Sequence, residues 1–464
     1  MRDQRQRRRP GGNLPIIHER VKQSLAAQAA QSDTPPYQQQ LESCRARIGK
    51  TYTQAQLERP TTQEKQDILA LIREAIGRFN EGAESSGQPQ LEEALDGLAQ
   101  QMMDSILGLG ALEPLLADPS IEDIYINGPH EVLVVSEGEL QLRQTRFESG
   151  QHLMDIINRA VAGSGRRLDF SSPIVDAQLA DGSRLNAVIS PIAAERGPYV
   201  TIRRHRLVAT TMDDLLRLET ITPDAARFLE AAVKSYTSLL VSGATATGKT
   251  NTINCLSSFF DPTEPKLVIE DTRELQLKGQ NVRYLVTRPP SVEGTGEITQ
   301  AQLGKAALRM RPRRIIFGEV RDAEAWDMVN MGNTGHDGLI AGVHANSPRD
   351  AVDRLVNLCR RAVDNIPEEV IVREVVRAIT LVIHLRFDPG TNKRHVVDIA
   401  EISGNMEGIT PAMQSLFKWE GGQLRYQGGR AQKRLHQRLQ TYGFDVDELF
   451  SGTQAGSRHD RSVP

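Results

Sequence analysis

Between Ser235 and about Glu401 the chain alternates short, almost wholly apolar runs with longer amphipathic ones. The short runs Ser238–Ser242, Lys266–Glu270, Arg314–Val320, Leu339–His344, Thr380–Arg386 and His395–Glu401 predict strands. A strand apolar at consecutive positions must bury both faces, which calls for a mostly parallel sheet with helices on each side. Upstream, Ile121–Asn127 alternates apolar and polar positions, as a half-buried strand does. Glu131–Val135, Leu185–Ile189 and Tyr199–Arg203 are further short β-like runs, broken by Gly and Asp turns and by one helix at about His152–Ala162. This is the pattern of a small α+β domain.

The flanks are helical or loose. Thr61 and Glu64 form a capping-box pair, after which Ile68, Leu71, Ile72, Ala75, Ile76 and Phe79 recur at helical spacing. A Gly/Ser/Pro linker, Glu81–Pro89, separates this helix from a second that runs to about Leu107. Thr210–Val233 reads as helical connecting sequence, and Ala431–Phe450 as a last helical segment before a tail without order. Residues 1–60 are poor in apolar positions and read as a disordered basic extension, with Arg2, Arg5, Arg7, Arg8 and Arg9 at its head. The expected divisions are therefore that extension, a helical segment over 61–105, the α+β domain over 106–206, an α/β domain over 207–430, and a C-terminal helix and tail over 431–464.

Length and charge narrow the picture. A chain of 464 residues exceeds one hydrophobic core. A net charge of −3 gives no global pull toward nucleic acid, so direct nucleic-acid binding is not expected. Cys44, Cys255 and Cys359 lie far apart and are odd in number, which fits neither a disulfide framework nor a zinc site and points to a reducing compartment. No run approaches the roughly 18 apolar residues of a membrane span. The basic N-terminus lacks the apolar core of a signal peptide, so a cytoplasmic location is expected.

The chemistry is concentrated after the first α/β strand. Gly243, Ala244, Thr245, Ala246, Thr247, Gly248, Lys249 and Thr250 match G-x-x-x-x-G-K-[ST] completely, and the helix-compatible run Asn251–Phe260 follows. The glycines let backbone N–H groups turn inward around a phosphate, and the helix adds its positive end. Lys249 would neutralise the β- and γ-phosphates of ATP, and the Thr250 hydroxyl would be a Mg²⁺ ligand. Such a reaction also needs acids at neighbouring strand ends. Leu267–Asp271 ends in Glu270 and Asp271, and Arg314–Glu319 ends in Glu319. His336 and His344 flank a short apolar strand, a spacing that makes zinc an unlikely guest but leaves either free to sense a γ-phosphate.

The order of the P-loop, Ile269–Thr272, Arg309–Pro312 with Gly318–Arg321, and Gly335–Gly338 with His344–Pro348 resembles the secretion-system ATPases of the type II/type IV superfamily. Ile106–Ser120, Asp181–Asn186, Arg288–Gly294 and Asn333–Gly338 look most like the CpaF branch, which serves tight-adherence (Flp/Tad) pili. The resemblance implies a RecA-like P-loop domain beneath the α+β domain, a homo-hexameric ring, and hydrolysis of Mg·ATP that drives an inner-membrane platform protein. Carried over by position, it implies Glu270 as the water-polarising base, Glu319 as the metal-water acid, and His336 with His344 as a histidine box. Asn251 joins the nucleotide contacts, and Arg184 and Arg203 are the arginines lent to the phosphates. Arg309, Arg311 and Arg321 are candidates for interface or γ-phosphate contacts. Two departures stand out. Ala246 and Thr247 occupy positions where relatives usually have Gly-Ser, and Leu339–Val343 carries no hydroxyl before the second histidine. A conjugation-type channel ATPase and a nucleotide-gated scaffold with negligible hydrolysis are the alternatives.

Overall fold

The computed structural model describes residues 35–451 other than 54–55, 58–59, 87–90, 92–94, 137, 163–165, 195, 205–208 and 291–293. The chain divides into two compact units, residues 1–118 with 145–160, and residues 119–144 with 161–464.

Helices build the first unit: α1 Pro35–Thr51, α2 Thr62–Ser86, α3 Leu95–Leu107, α4 Glu113–Ala117 and α5 Gly150–Ala162. The capping box forms, since Thr61 N donates to Glu64 Oε2 at 2.7 Å and Glu64 N donates to Thr61 Oγ1 at 3.2 Å. Ile68, Ile72 and Ile76 recur every four residues along α2 and are fully buried beside Leu98 and Met102 of α3. Two expectations need correction. Pro35–Thr51 lies within the stretch expected to be loose, yet Leu41, Cys44 and Ile48 line up on one face of α1 and join this core. The helix α2 also continues to Ser86 through the supposed linker, because Ala83 extends its buried face. Residues 1–34 and 452–464, which hold the basic arm and the tail, lie outside the described residues.

The second unit holds two sheets. Strands β1 Ile121–Asn127, β2 Val132–Ser136, β3 Glu139–Arg143, β4 Ile174–Gln178, β5 Arg184–Val188 and β6 Tyr199–Arg203 pair antiparallel in the order β3-β2-β1-β6-β5-β4. The alternation predicted for β1 is realised, with Ile124 and Ile126 buried and Asp123 and Tyr125 on the other face. Helices α6 Met212–Arg217 and α7 Pro223–Lys234 then lead into β7 Leu239–Gly243.

From β7 the chain winds through α8 Lys249–Ser257, β8 Lys266–Glu270, β9 Val282–Val286, α9 Gln300–Ala307, β10 Arg314–Phe317, α10 Glu324–Asn333, β11 Ile340–His344, α11 Pro348–Ala362, α12 Glu368–Ala378 and β12 Leu381–Asp388. Strands β12-β7-β11-β10-β8-β9 lie side by side and parallel. Leu239, Val241, Val268, Ile316, Ile340 and Ile383 feed one core beneath the sheet, and Leu240, Leu267, Ile269, Ile315, Phe317 and Val343 feed another above it. Burial on both faces is what the unbroken apolar runs require. The run expected at His395–Glu401 becomes β13 Lys393–Glu407, antiparallel to β12 and extended by β14 Thr410–Glu420 and β15 Gln423–Tyr426. The helices α13 Lys433–Thr441 and α14 Val446–Ser451 replace the single helix expected there, because the chain turns at Tyr442–Asp445.

Candidate functional site

Sheet order decides which side chains can meet. Strands β7, β11, β10 and β8 are neighbours in that order and run the same way, so their carboxyl ends share one edge. Gly243, His344, Gly318–Glu319 and Glu270 are delivered there, and ligands bind outside this edge in open α/β sheets.

The loop from β7 to α8 forms the centre. A Cβ on Gly243 would lie 2.5 Å from Thr247 Oγ1 and 2.7 Å from Leu385 O, so only glycine fits. Gly248 takes φ +95° as the cap of α8. Ala246 departs from the glycine usual at its position, yet it too sits at φ +63°. A side chain there costs roughly 1–2 kcal/mol, so the surroundings must enforce the bend. Lys249 reaches back along the loop and donates to Gly243 O at 3.0 Å and Ala244 O at 2.9 Å.

Lys249 Nζ also lies 3.0 Å from His344 Nδ1, and His344 Nε2 lies 2.8 Å from Glu319 Oε1. An ammonium can only donate, so Nδ1 accepts and the proton of a neutral imidazole rests on Nε2, facing the carboxylate. Burial pushes the His344 pKa below its ordinary value against the pull of Glu319, which agrees with that neutral form. Burial also lowers Lys249 to about 8, with Glu319 opposing. For Glu319, burial resists ionisation, but Arg321, then His344 and Lys249, hold its carboxyl below the usual range. Arg321 Nη2 donates to Glu319 Oε2 at 3.0 Å.

The six-stranded sheet closes the opposite wall. Asp123, Arg203 and Arg184 are direct cross-strand partners on β1, β6 and β5. Two like charges directly opposite each other are unfavourable in a sheet. Arg184 Nη2 finds Glu274 Oε1 at 2.7 Å, and Thr250 Oγ1 donates to Glu274 Oε2 at 3.1 Å. The cleft between these walls measures about 540 Å³. Eight Lys or Arg side chains line it against four Asp or Glu, which suits a polyanion.

The structure thus gathers Thr245, Ala246, Thr247, Gly248, Lys249, Thr250, Asn251, Arg184, Arg203, Glu319, Arg321 and His344 around one cleft, with Gly243 and Ala244 behind the loop. Four expected residues are not among them. His336 precedes β11, whose four rises from Ile340 to His344 span about 13 Å. It therefore belongs to the opposite edge of the sheet, where Arg314 donates to Gly338 O. Arg309 and Arg311 precede β10 and are exposed at that same far edge.

Glu270 is a different case. It is 4% exposed, and its Oε1 accepts from Glu274 N at 3.2 Å and Leu275 N at 3.0 Å. A Cβ on Gly318 would meet Glu270 Cγ at 2.8 Å, so the glycine before Glu319 makes room for it. Glu270 thus braces the turn after β8 and does not open on the cleft. Glu274, beside Glu319, does line the cleft, and sequence reading missed it. The available signal was that Glu270 ends the apolar run Leu267–Ile269, which favours its burial and leaves Asp271 and Glu274 of the following turn to face outward. Gly342 explains the missing hydroxyl in β11, since a Cβ there would lie 2.3 Å from Gly318 O.

Burial raises the Glu270 pKa to about 7, against its two backbone hydrogen bonds. A carboxyl raised in the folded state costs nothing below its unfolded value near 4.5, where both states are protonated. As pH climbs from there toward 7 only the unfolded chain ionises, and the penalty grows to on the order of 3 kcal/mol. Glu270→Gln should therefore gain stability relative to the unmodified chain across that window and hold the gain above it. Denaturant midpoints at pH 5, 6, 7 and 8 check this, and a pH-independent difference would contradict it.

Residues 106–416 match the family model described as type II/IV secretion system protein. A Mycobacterium tuberculosis chain described as a candidate conjugal transfer protein is 31% identical over 317 residues, which cover 67% of this chain and 89% of that one. The type IV secretion system protein PtlH of Bordetella pertussis is 30% identical, over 63% of this chain and 93% of that one. Among solved structures, the ATPase DotB of Legionella pneumophila is 18% identical with a TM-score of 0.45, over 75% of this chain and 86% of that one.

Proposed function

We propose a function on one premise: this chain belongs to the type II/IV secretion system protein family. On that premise the cleft binds Mg·ATP and hydrolyses it. The observation that carries this reading is Lys249, a buried cation whose contacts are two carbonyls and a neutral imidazole, facing a second wall of paired arginines. An arrangement so short of anions at its centre suits a triphosphate.

In this reading a water attacks the γ-phosphorus in line with the bond to the β,γ-bridging oxygen. That bond breaks, and ADP leaves with its electron pair. Glu274 takes the proton of the attacking water, being the open carboxylate beside Thr250 and Arg184. Lys249, Arg184, Arg203 and Arg321 balance the charge that spreads over the phosphoryl oxygens. His344 couples Lys249 to Glu319, so a shift of the ammonium toward phosphate is felt at that carboxylate. The oxygen donors present fit Mg²⁺. Thr250 would hold it directly and Glu319 through water, and the ion would supply positive charge to offset that of the phosphates.

We infer further that the chain works as a homo-hexamer at the cytoplasmic face of the inner membrane, pushing a platform protein to assemble a Flp/Tad pilus or a type II-like secretion apparatus. The branch-like stretches Ile106–Ser120 and Asn333–Gly338 support this. A second reading, service of a conjugation channel, is favoured by the conjugal-transfer and type IV secretion descriptions of its relatives. Steady-state phosphate release from the purified chain with Mg·ATP tests hydrolysis, and no release would leave only a nucleotide-gated scaffold. A gene deletion that removes surface pili but spares DNA transfer supports the pilus reading, and the reverse supports conjugation. Arg203→Ala should lower turnover at least tenfold with little change in thermal midpoint. A turnover equal to the unmodified chain would exclude Arg203 from the phosphate contacts.

A further inference from the structure

The phosphate loop has a support from far along the chain that no motif of the sequence announces. Arg394, the second residue of β13, donates its Nε–H to Ala246 O at 2.9 Å across 148 positions of sequence. Its stem covers the loop, since a Cβ on Gly248 would lie 3.4 Å from Arg394 Cδ. Its guanidinium sits 5.3 Å from the ring of Phe387, its direct partner across the β12–β13 ladder. Neighbouring Lys393 pairs with Glu219, which anchors the same strand end to the turn after α6. Arg394 is thus braced by the loop and by Phe387, stays partly open to solvent, and lines the cleft.

The residue it grips is the one that sits against its own preference, Ala246 at φ +63°. In a planar trans peptide, the carbonyl of one residue and the N–H of the next point in opposite directions. Fixing Ala246 O toward Arg394 therefore aims the Thr247 N–H the other way, into the loop's concavity. A glycine at 246 would reach this bend unaided, whereas alanine needs it enforced.

We propose that Arg394 is a positioning residue: it holds the phosphate loop in its binding shape through the Ala246 carbonyl, and so sets nucleotide affinity from the antiparallel end of the sheet. This rests on the ATP-binding reading of the cleft. The guanidinium is suited to the task because its Nε–H has a fixed direction, which a lysine ammonium lacks.

The test uses the full chain, with binding of a fluorescent ADP in the presence of Mg²⁺ and steady-state phosphate release. Arg394→Ala should raise the Kd for Mg·ADP and the KM for ATP roughly tenfold and leave kcat within about twofold, as loss of a charge-assisted bond made equally before and during reaction would. Arg394→Lys keeps the charge but not the Nε–H and should behave alike, which also serves if the alanine variant fails to fold. Measured against Ala246→Gly alone, adding Arg394→Ala should cost less than about threefold in affinity, because with glycine at 246 the bend no longer needs support. Unchanged affinity in both Arg394 variants would overturn the proposal. So would equal losses in the alanine and glycine backgrounds, which would mean that Arg394 touches the nucleotide itself. If the unmodified chain binds no nucleotide, the reading of the cleft fails and this proposal with it. If it binds normally and only the Arg394 effects are missing, this proposal alone fails.

Discussion

Lys249→Ala is expected to lower ATP turnover by about a thousandfold or more, while the protein folds as well as before or slightly better. Both halves follow from the same geometry. The ammonium is the one cation reaching from α8 back over the loop, so nothing else can take its place against the β- and γ-phosphates. Yet burial disfavours this charge and lowers its pKa to about 8. Its removal gives up two bonds to carbonyls and relieves a desolvated charge, terms of similar size and opposite sign. Phosphate release and thermal unfolding, measured on the same sample, check the pair. Undiminished turnover would remove the cleft from consideration as the catalytic site.

The second large effect separates two glutamates four residues apart. Glu274→Gln should reduce kcat by about 10²–10⁴, the range for a lost general base, with nucleotide affinity little changed. Glu270→Gln should reduce it no more than about tenfold, because an amide oxygen can still accept from Glu274 N and Leu275 N. Glu270→Ala empties the space that Gly318 leaves for it and frees the turn, so turnover should fall together with stability. Single-turnover rates and denaturant midpoints distinguish these outcomes. A Glu270→Gln variant as dead as Glu274→Gln would restore Glu270 as the base.

The parallel core was readable because its strands are buried on both faces. Lys266–Glu270 of that core agrees with the observed strand to the residue, as do Ile121–Asn127 and Tyr199–Arg203 of the antiparallel sheet, where alternation gave the signal. The strands without a readable signal include all four at the sheet margins, namely β3, β4, β9 and β15. A marginal strand is half-solvated and needs neither a continuous apolar run nor clean alternation, as the exposed Glu139–Gln141 of β3 shows. The site divides along the same line. The P-loop is local, so its spacing is visible in eight consecutive residues. Glu274 and Arg394 act through folded contacts at a distance, and a string of letters does not show which acid of a turn faces inward. His336 misled for a geometric reason. Its eight-residue separation from His344 encloses a whole strand, and the two ends of a strand belong to different sides of the protein.

The pairing of Arg184 with Arg203 has a consequence for how this wall of the cleft tolerates change. Side chains alternate along a strand, so one residue added or lost between Leu185 and Val188 would rotate Arg184 toward the buried interior, where a guanidinium has no counter-charge. The exposed residues Ser190–Ile192 can vary in length with less penalty, because they lie outside the ladders that β5 makes with β4 and β6. Insertion scanning should therefore find a sharp border near Val188, with lengthened chains active on one side of it and silent on the other.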